Sequence, residues 1–266
     1  MTNITATVIT HNEQRNIERC LNALIGVADE IVVVDSNSTD ATVEICSRYG
    51  CRIVARPFAG YGSQRQFATS LATHRYILSI DADEVLSDDL RQAIIDLKTD
   101  DSLKAHRMYG LRMVSYVCGR PVGHSGFGPH LEVRLFDKRY ATWDLRDVGE
   151  RVSHSDSVVP STLPGCIHHY RCHTIDELRY KELRHAAIKA RVLAAGKKSI
   201  GILTPWLKAA RAFLHCHLRQ GALLDGREGR RIAGVRYAAT LAAYSDARKI
   251  KKHTAGAHSK AASTPE

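Results

Sequence analysis

Short apolar runs alternate with amphipathic segments along the first hundred residues of this chain. The apolar runs are rich in β-branched side chains, which is typical of strands buried on both faces of a parallel sheet, and they cover residues 4–10, 30–35, 51–55 and 76–80. Apolar residues at helical spacing predict helices between and after these runs, at about residues 17–24, 41–49, 64–72 and 88–97. The alternation predicts βαβ units and an α/β fold with a mostly parallel sheet flanked by helices.

The pattern changes after about residue 107. Two segments, 109–117 and 131–136, alternate like strands with two unlike faces, and a glycine-rich loop lies between them. Later the pattern becomes helical, and Thr174 and Glu177 form a capping-box signature. We therefore expect a sheet domain over residues 1–170, a basic helical extension over 171–250 and a disordered tail over 251–266.

Polar side chains stand at the carboxyl ends of three predicted strands. His11-Asn12-Glu13 follows the first strand, Asp35 ends the second, and Asp81-Ala82-Asp83-Glu84 ends the fourth. Ligands of parallel α/β sheets bind outside this edge. Since residues i and i+2 of a strand point to one side, Asp81 and Asp83 are expected to face one ligand together. A divalent metal carrying a diphosphate would compensate their like charges, although surface loops also carry this spacing.

Composition narrows the class of protein further. No run reaches the 18 or so apolar residues of a membrane-spanning helix, and the amino terminus does not resemble a signal peptide. The seven cysteines are an odd number without a C-x-x-C pair, which indicates reduced thiols in a cytoplasmic protein and argues against a zinc site. No G-x-G-x-x-G follows the first strand, so a classical dinucleotide-binding fold is disfavoured. No G-x-x-x-x-G-K-[ST] sequence occurs, so a P-loop is absent.

The net charge of +10 is concentrated in the last third of the chain. Residues 176–266 hold 19 Lys and Arg against 7 Asp and Glu, a net charge of +12, whereas residues 1–175 carry −2. This asymmetry indicates an anionic partner, either a membrane surface or a nucleic acid, with a solvated helical surface as the ordinary alternative.

Several motifs together resemble a known family. Thr10-His11-Asn12-Glu13, the segment 34–40 and Asp81-Ala82-Asp83-Glu84 resemble, in order and spacing, the nucleotide-sugar core of glycosyltransferase family 2, whose members have the GT-A fold, a Rossmann-like sheet flanked by helices. Other segments are similar to the branch that contains the lipopolysaccharide-core β-1,4-glucosyltransferases, namely Val133–Phe136, Val148–Glu150, Ile167–Tyr170, Lys181, Gly196–Lys198 and Leu224–Gly226. The resemblance covers roughly residues 4–248, and the later motifs indicate the branch but no particular sugar.

This resemblance implies an inverting, metal-dependent transfer of a sugar from a nucleotide diphosphate sugar, with a UDP-sugar favoured. The acceptor would be a glycan or a lipid-linked glycan in bacterial lipopolysaccharide-core or cell-envelope polysaccharide biosynthesis, facing the region of about residues 107–170. The residues implied in nucleotide-sugar binding are Thr10, Asn12, Glu13, Asp35, Asp40, Arg65, Asp81 and Ala82. The implied metal is Mg²⁺ or Mn²⁺, held by Asp83, Asp81 and His169.

The general base that deprotonates the acceptor hydroxyl is the least defined of the implied roles. Glu150 matches the Glu of a Val-His-Glu motif in the branch, but Gly149 replaces its His. Asp147 and Asp144 are therefore alternatives.

Three of the implied site residues also have an ordinary structural interpretation. His169 is either a ligand of the metal or diphosphate or a hydrogen-bonded structural histidine. Asp35 is either a contact of the nucleotide base or an N-cap of the following helix. Arg65 is either a phosphate contact or a surface residue of its helix.

Two other classes of protein compete with the transferase. A nucleotidyltransferase would also use strand-end carboxylates and a metal, but it usually carries a glycine-rich basic loop after the first strand, where this chain has His11-Asn12-Glu13. A non-catalytic basic module for nucleic acid would interleave aromatic and basic residues, yet aromatics are only 6% of the chain, so no nucleic-acid partner is expected.

A predicted helix from Thr204 carries two parallel stripes, a basic one of Lys208, Arg211, His215 and Arg219 and an apolar one of Leu207, Ala210, Leu214 and Leu218. One interpretation is peripheral docking on an anionic membrane, with the apolar stripe in the headgroup boundary. The other is packing of that stripe on the catalytic domain. We therefore expect a cytoplasmic protein. If the membrane-docking interpretation holds, the protein also contacts the inner face of the cytoplasmic membrane peripherally.

Overall fold

The computed structural model describes residues 2–105, 108–146, 149–154 and 159–261. The chain separates into two compact units. Unit 1 comprises Met1–Tyr116 and Pro129–Tyr170, and unit 2 comprises Val117–Gly128 and Arg171–Glu266. Residues 117–128, which the sequence pattern assigns to the first domain, thus belong to the second unit.

The first half of unit 1 alternates strands and helices as the apolar pattern predicts. The strands are β1 (Ile4–Thr10), β2 (Glu30–Asp35), β3 (Arg52–Ala55), β4 (Tyr76–Asp81) and β5 (Glu84–Leu86). The helices are α1 (Ile17–Leu24), α2 (Thr42–Arg48), α3 (Tyr61–Leu71) and α4 (Asp88–Thr99), followed by a 3₁₀ turn at Ser102–Ala105. Helix α3 begins three residues before its predicted start, directly after Gly60, whose φ of 103° turns the chain into the helix.

Seven more strands follow between Met108 and Cys172 in the described part of the chain. They are β6 (Met108–Val117), β7 (Arg120–Val122), β8 (His130–Asp137), β9 (Ala141–Trp143), β10 (Val152–His154), β11 (Ser161–Thr162) and β12 (Ile167–Cys172). The main sheet has the order β3-β2-β1-β4-β8-β6-β12-β5. Strands β3, β2, β1 and β4 are parallel, whereas β8 runs antiparallel to β4 and β6 antiparallel to β8. The predicted α/β class with a mostly parallel sheet flanked by helices is confirmed.

The burial of the central strands of unit 1 explains why their sequences are continuous apolar runs. Strand β1 lies between β2 and β4, and both of its faces are buried. Ile4, Ala6 and Val8 pack into the core with α1 and α4, whereas Thr5 and Thr7 are buried on the opposite face. Each fully buried aliphatic side chain contributes about 1.5–3 kcal/mol, so this strand anchors the sheet edge that follows it.

Unit 2 consists mainly of three helices, α5 (Ile175–Ala195), α6 (Thr204–Leu218) and α7 (Gly226–Ala261). Thr174 caps α5 by accepting a hydrogen bond from the backbone N–H of Glu177, as its capping-box signature predicts. Small residues allow α5 and α7 to approach closely, through Ala186, Ala239 and Ala243. The predicted disorder of residues 251–266 is wrong for residues 251–261, which continue α7; residues 262–266 lie outside the described part of the chain.

The glycine-rich loop of residues 119–128 is fixed within unit 2 by one carboxylate. Asp225, directly before α7, accepts hydrogen bonds from the backbone N–H groups of Gly123 (3.0 Å) and His124 (3.1 Å) and from the Ser125 hydroxyl. Phe127 packs into the apolar cluster formed with α5, α6 and α7. The loop is therefore an ordered part of the helical unit.

Candidate active site

The strand ends that the sequence singles out lie side by side in unit 1. In the parallel register Thr10 pairs with Asp35, and Ile9 pairs with Asp81. The polar segments that follow β1, β2 and β4 therefore leave the sheet at the same edge. This is the edge at which parallel α/β sheets bind ligands.

Asp35 and Asn12 hold together the loops that follow β1 and β2. The buried Asp35 carboxylate accepts hydrogen bonds from the backbone N–H (2.8 Å) and the hydroxyl of Ser38. Asn12, whose φ of 55° lies in the left-handed region, accepts a hydrogen bond from the backbone N–H of Thr39 (2.7 Å). Asp35 thus holds a turn and does not cap α2, whose N-cap Ala41 has no side-chain hydrogen bond.

Asp40 and Glu13 complete the connection between these two loops. Asp40 accepts hydrogen bonds from the backbone N–H groups of Thr42 (3.0 Å) and Gln14 (3.1 Å), and Glu13 donates its backbone N–H to the Thr42 hydroxyl (2.9 Å). Partial burial opposes ionisation of Asp40, but hydrogen bonds from the Thr42 hydroxyl and from the backbone N–H groups of Thr42 and Gln14 outweigh it and lower the pKa of Asp40. Thr10 contributes a buried hydroxyl that has no partner among the described residues.

Arg65, on α3, connects the end of β4 with the predicted general base. Its Nε lies 3.2 Å from Asp81 Oδ1 and its Nη2 lies 2.6 Å from Asp81 Oδ2, while Nη1 contacts Glu150 Oε1. Burial opposes the charge of Arg65, but the two carboxylates outweigh it and raise the arginine's pKa. The surface alternative for Arg65 does not hold, because only 7% of the residue is exposed.

A second buried arginine, Arg134 on β8, also lies near Asp81. Its Nη2 is 2.9 Å from Glu84 Oε1, 2.9 Å from Glu132 Oε2 and 3.8 Å from Asp81 Oδ2. Burial raises the pKa of Asp81, but Arg65 and Arg134 together outweigh it and lower the pKa. Sequence reasoning missed Arg134 and Glu84 as site residues, although both lie in quoted motifs, because their burial and pairing depend on the sheet order.

Glu84 is the most deeply buried carboxyl of the site. It is fully buried, and one of its oxygens accepts a hydrogen bond from the backbone N–H of Asp81 (2.8 Å). Desolvation raises its pKa to about 8, against the opposing effect of Arg134. Glu84 therefore lies close to two other carboxylates, Asp81 and Asp83, and belongs to the same site.

Asp83 and His169 form the second polar pair of the site. His169 Nε2 lies 3.5 Å from Asp83 Oδ1, and His169 Nδ1 lies 3.6 Å from Glu84 Oε1. The antiparallel pairing of β5 and β12, with His169 opposite Glu84, brings this histidine to the acidic turn. Among the described residues no three His, Cys, Asp or Glu side chains converge as a preformed metal site.

The strand alternation that predicted one direction for Asp81 and Asp83 does not cover both residues. Strand β4 ends at Asp81, and Ala82 and Asp83 form a turn, so the alternation of a strand does not extend to Asp83. Ala82 is buried in the core. Asp81 contacts Arg65, whereas Asp83 contacts His169.

Two of the three candidates for the general base, Glu150 and Asp144, have different surroundings. Glu150 contacts Arg65, and its side chain is only 14% exposed. Asp144 instead pairs with Arg146 and accepts a hydrogen bond from the backbone N–H of Arg151 (3.1 Å), within a loop that approaches the first turn of α3. Asp147 lies outside the described residues. Of the two candidates that can be compared, Glu150 is the one joined to the strand-end carboxylates.

Arg19, on α1, is a basic residue of the site that sequence reasoning missed. Its guanidinium stacks on the Tyr170 ring at 3.5 Å from the centroid. Desolvation lowers its pKa, although Tyr170, Asp83 and Glu13 favour its charged form. Its Nε is buried without a hydrogen-bond partner among the described residues. No motif marks this position, and only the packing of α1 beside β12 reveals it.

Comparisons with known proteins show the family of the chain. The family model described as Glycosyl transferase family 2 matches residues 5–107. An uncharacterised glycosyltransferase of Rickettsia bellii is 31% identical over 211 residues, which are 75% of this chain and 70% of the relative. The lipopolysaccharide core biosynthesis glycosyltransferase LpsC of Rhizobium meliloti is 27% identical over 237 residues, 85% of this chain and 84% of the relative.

These matches define the molecule as a sugar-transferring enzyme. The chain belongs to glycosyltransferase family 2, so the resemblance stated from its motifs is confirmed.

Solved structures align less closely. A Staphylococcus aureus TarS fragment in complex with UDP aligns with a TM-score of 0.43 at 15% identity, covering 96% of this chain and 92% of that one. Glucosyl-3-phosphoglycerate synthase of Mycobacterium tuberculosis, in complex with Mn²⁺, UDP and glucosyl-3-phosphoglycerate, aligns with a TM-score of 0.33 at 20% identity, covering 43% of this chain and 44% of that one.

Proposed function

We propose that this glycosyltransferase moves a sugar from a nucleotide diphosphate sugar, with a UDP-sugar favoured, to a glycan or lipid-linked glycan acceptor with inversion at the anomeric carbon. The observation that carries the proposal is the presence of two sets of acidic contacts at one edge of the sheet. Glu150 and Asp81 share Arg65, and Asp83 contacts His169. The first set contains the candidate base, Glu150. The second set, Asp83 and His169, would supply metal-ligating atoms for a cation on the diphosphate.

Asp83 and His169 fit a divalent cation better than Asp81 does. Their donor atoms lie 3.5 Å apart in a partly exposed position, and the Asp83 carboxylate is the kind of oxygen ligand that suits Mg²⁺ and Mn²⁺, with the imidazole nitrogen as a second donor. Diphosphate oxygens and water would supply the remaining ligands. When bound, the metal would neutralise charge that develops on the leaving diphosphate.

Glu150 would accept the proton of the acceptor hydroxyl. The hydroxyl oxygen forms its bond to the anomeric carbon while the bond from that carbon to the diphosphate oxygen breaks, and the proton passes to the Glu150 carboxylate. Before donor binding, the contact with Arg65 fixes the Glu150 side chain in position. Arg65, which contacts Asp81 at the end of β4, would donate a charge-assisted hydrogen bond to the donor diphosphate.

The connected loops after β1 and β2 would bind the nucleotide. Asp35 and Asn12 fix the turn at Ser38 and Thr39 through four hydrogen bonds, so their backbone is ordered before a ligand arrives. Arg19 adds a cation beside Asp83 for the diphosphate. A preformed loop of this kind lowers the entropy lost on binding.

Two features support an acceptor in lipopolysaccharide-core or envelope polysaccharide assembly at the cytoplasmic face of the membrane. The relative LpsC, named for lipopolysaccharide core biosynthesis, aligns over 85% of this chain. All seven cysteines are unpaired, which fits a reducing compartment.

The proposal is tested by measuring nucleoside diphosphate release from UDP- and GDP-sugars with Mn²⁺, with Mg²⁺ and with EDTA. We expect turnover of one donor that EDTA and Asp83→Asn abolish, while Asp96→Asn, an exposed change on α4, leaves it intact. Release of pyrophosphate from nucleoside triphosphates would instead indicate a nucleotidyltransferase. Failure of every nucleotide sugar to bind or turn over, with acceptor glycans present, would refute the transferase proposal.

A further inference from the structure

Helix α6 presents a row of leucines to solvent. Leu203, directly before the helix, is 66% exposed, and Leu207, Leu214 and Leu218 are 68%, 55% and 76% exposed. At about 100° per residue these four positions fall within roughly a quarter of the helix circumference. Trp206, 57% exposed, borders the same row. We call these five residues the α6 leucine row.

This row is not the packing face of the helix. The buried residues of α6 are Pro205, Ala209 and Cys216, which project from the opposite side. The buried side of α6 is therefore made of compact side chains, whereas its leucines and Trp206 face outward. Within unit 2 the leucine stripe therefore lies outside the packing face of α6.

A basic row runs along one side of the leucines. Lys208, Arg211, His215 and Arg219 follow at helical spacing, and Lys208, Arg211 and His215 are exposed. They belong to a segment, residues 176–266, with a net charge of +12. Just beyond the helix, Leu223 and Leu224 are 58% and 75% exposed and extend the apolar surface.

The combination of these two rows selects among possible partners. A second copy of this chain would bring like-charged rows together, which is unfavourable. Single-stranded nucleic acid would use aromatic platforms beside the cations, whereas this row is mostly leucine. An anionic bilayer surface satisfies both rows, because leucines enter the boundary of headgroups and acyl chains while lysine and arginine pair with lipid phosphates.

We propose that the α6 leucine row is a membrane-docking surface that lies in the plane of an anionic phospholipid bilayer. Among the described residues no helix is long and apolar enough to cross a membrane, so the contact would be interfacial. The surface lies wholly in unit 2 and shares no residue with the candidate active site. Its success or failure is therefore separate from that of the proposed transfer reaction.

The test is flotation of the full chain with vesicles of phosphatidylcholine alone or with about one-third phosphatidylglycerol. We expect binding to the anionic vesicles that is at least about tenfold stronger and that falls as salt is raised. The double variant Leu207→Ser/Leu214→Ser should lose about tenfold or more in vesicle affinity, since each leucine contributes through its buried apolar area. Lys208→Gln/Arg211→Gln should lose the preference for anionic lipid.

Matched controls separate this surface from general exposure. Leu131→Ser/Leu145→Ser changes two leucines of similar exposure, 58% and 69%, on unit 1 and should leave vesicle binding unchanged. Thermal melts of all variants exclude unfolding as the cause. In addition, the emission of Trp206 should shift to the blue on vesicles, measured against Trp206→Phe because Trp143 is already buried.

Three results would overturn the proposal. They are equal affinity for neutral and anionic vesicles, equal loss in the control and row variants, and a dimer in sedimentation that Leu207→Ser/Leu214→Ser dissolves. The last result would assign the row to a second copy of the chain.

Discussion

Arg65 and Glu150 form a buried ion pair although 85 residues separate them in sequence, and the same guanidinium binds Asp81 through two nitrogens. One cation therefore sets the positions of a strand-end carboxylate and of the candidate base. Without Arg65 these two acidic groups would share the site with no cation bonded to both. The first two predictions follow from this arrangement.

Replacing Glu150 with Gln should abolish transfer while the donor still binds. The amide keeps the size of the side chain and its contact with Arg65 but cannot take the proton, so the turnover number should fall by about 10²–10⁴-fold. Donor affinity, measured by titration calorimetry with the UDP-sugar, should change little. The matched variant Asp144→Asn should retain most activity, and the reverse pattern would move the base to that residue.

Replacing Arg65 with Gln should destabilise unit 1. The change leaves Asp81 and Glu150 poorly compensated in a largely buried site, which costs about 3–5 kcal/mol when one partner of a buried pair is removed. Urea unfolding at neutral pH would measure this loss. Adding Glu150→Gln to Arg65→Gln should recover part of it, whereas strict additivity of the two changes would show that the pair is not coupled.

Replacing His169 with Ala should weaken metal binding in the presence of nucleotide. Because Nε2 lies beside Asp83, loss of the imidazole should raise the Mn²⁺ concentration for half-maximal turnover by about tenfold or more. Mn²⁺ paramagnetic resonance with UDP present measures the same affinity without catalysis. A purely structural histidine would instead lower the melting temperature and leave the Mn²⁺ dependence unchanged.

Asp137 should make the fold sensitive to acid. It is buried and pairs with Arg75 at 2.6 Å and Arg139 at 3.1 Å. Burial opposes ionisation, but the hydrogen bonds from Arg139 and Arg75 outweigh it and lower the pKa of Asp137. Its stabilising contribution is therefore present above the unfolded pKa near 3.8 and is lost as pH falls through the lower folded pKa.

The variant Asp137→Asn measures that contribution. At pH 7 it should lower the free energy of unfolding by about 1–3 kcal/mol, and the difference from the parent protein should shrink towards pH 3. Asp96→Asn, on the surface of α4, serves as the control. A difference that stays constant between pH 7 and pH 3 would contradict the assigned role.

The sequence alone determined the alternation of strands and helices in the first hundred residues and the edge where polar groups collect. This was possible because strands buried on both faces need continuous apolar runs, and because parallel strands end at one edge of the sheet. Thr10, Asp35 and Asp81 lie at adjacent strand ends as this argument requires. The family motifs then supplied candidate roles for Glu150 and His169.

Helix α7 shows where local pattern was insufficient. Its buried face includes Ala239, Ala243 and Ala247, whose small side chains give little apolar periodicity. Gly229 also interrupts the pattern. A Cβ atom at this position would lie 1.8 Å from the Ala222 carbonyl oxygen, so the close approach requires glycine. Such close packing depends on a neighbouring segment, so a single segment of sequence does not reveal it.

Only the tertiary structure decided how the site's charges are paired. Asp81 and Asp83 are two residues apart, but the turn after β4 directs one to Arg65 and the other to His169. Arg134 and Glu84 become a buried pair because β8 and β5 enter the sheet beyond the parallel strands. Charge pairing depends on distances of a few ångströms between distant segments, whereas strand and helix formation depends on side chains that are neighbours in sequence.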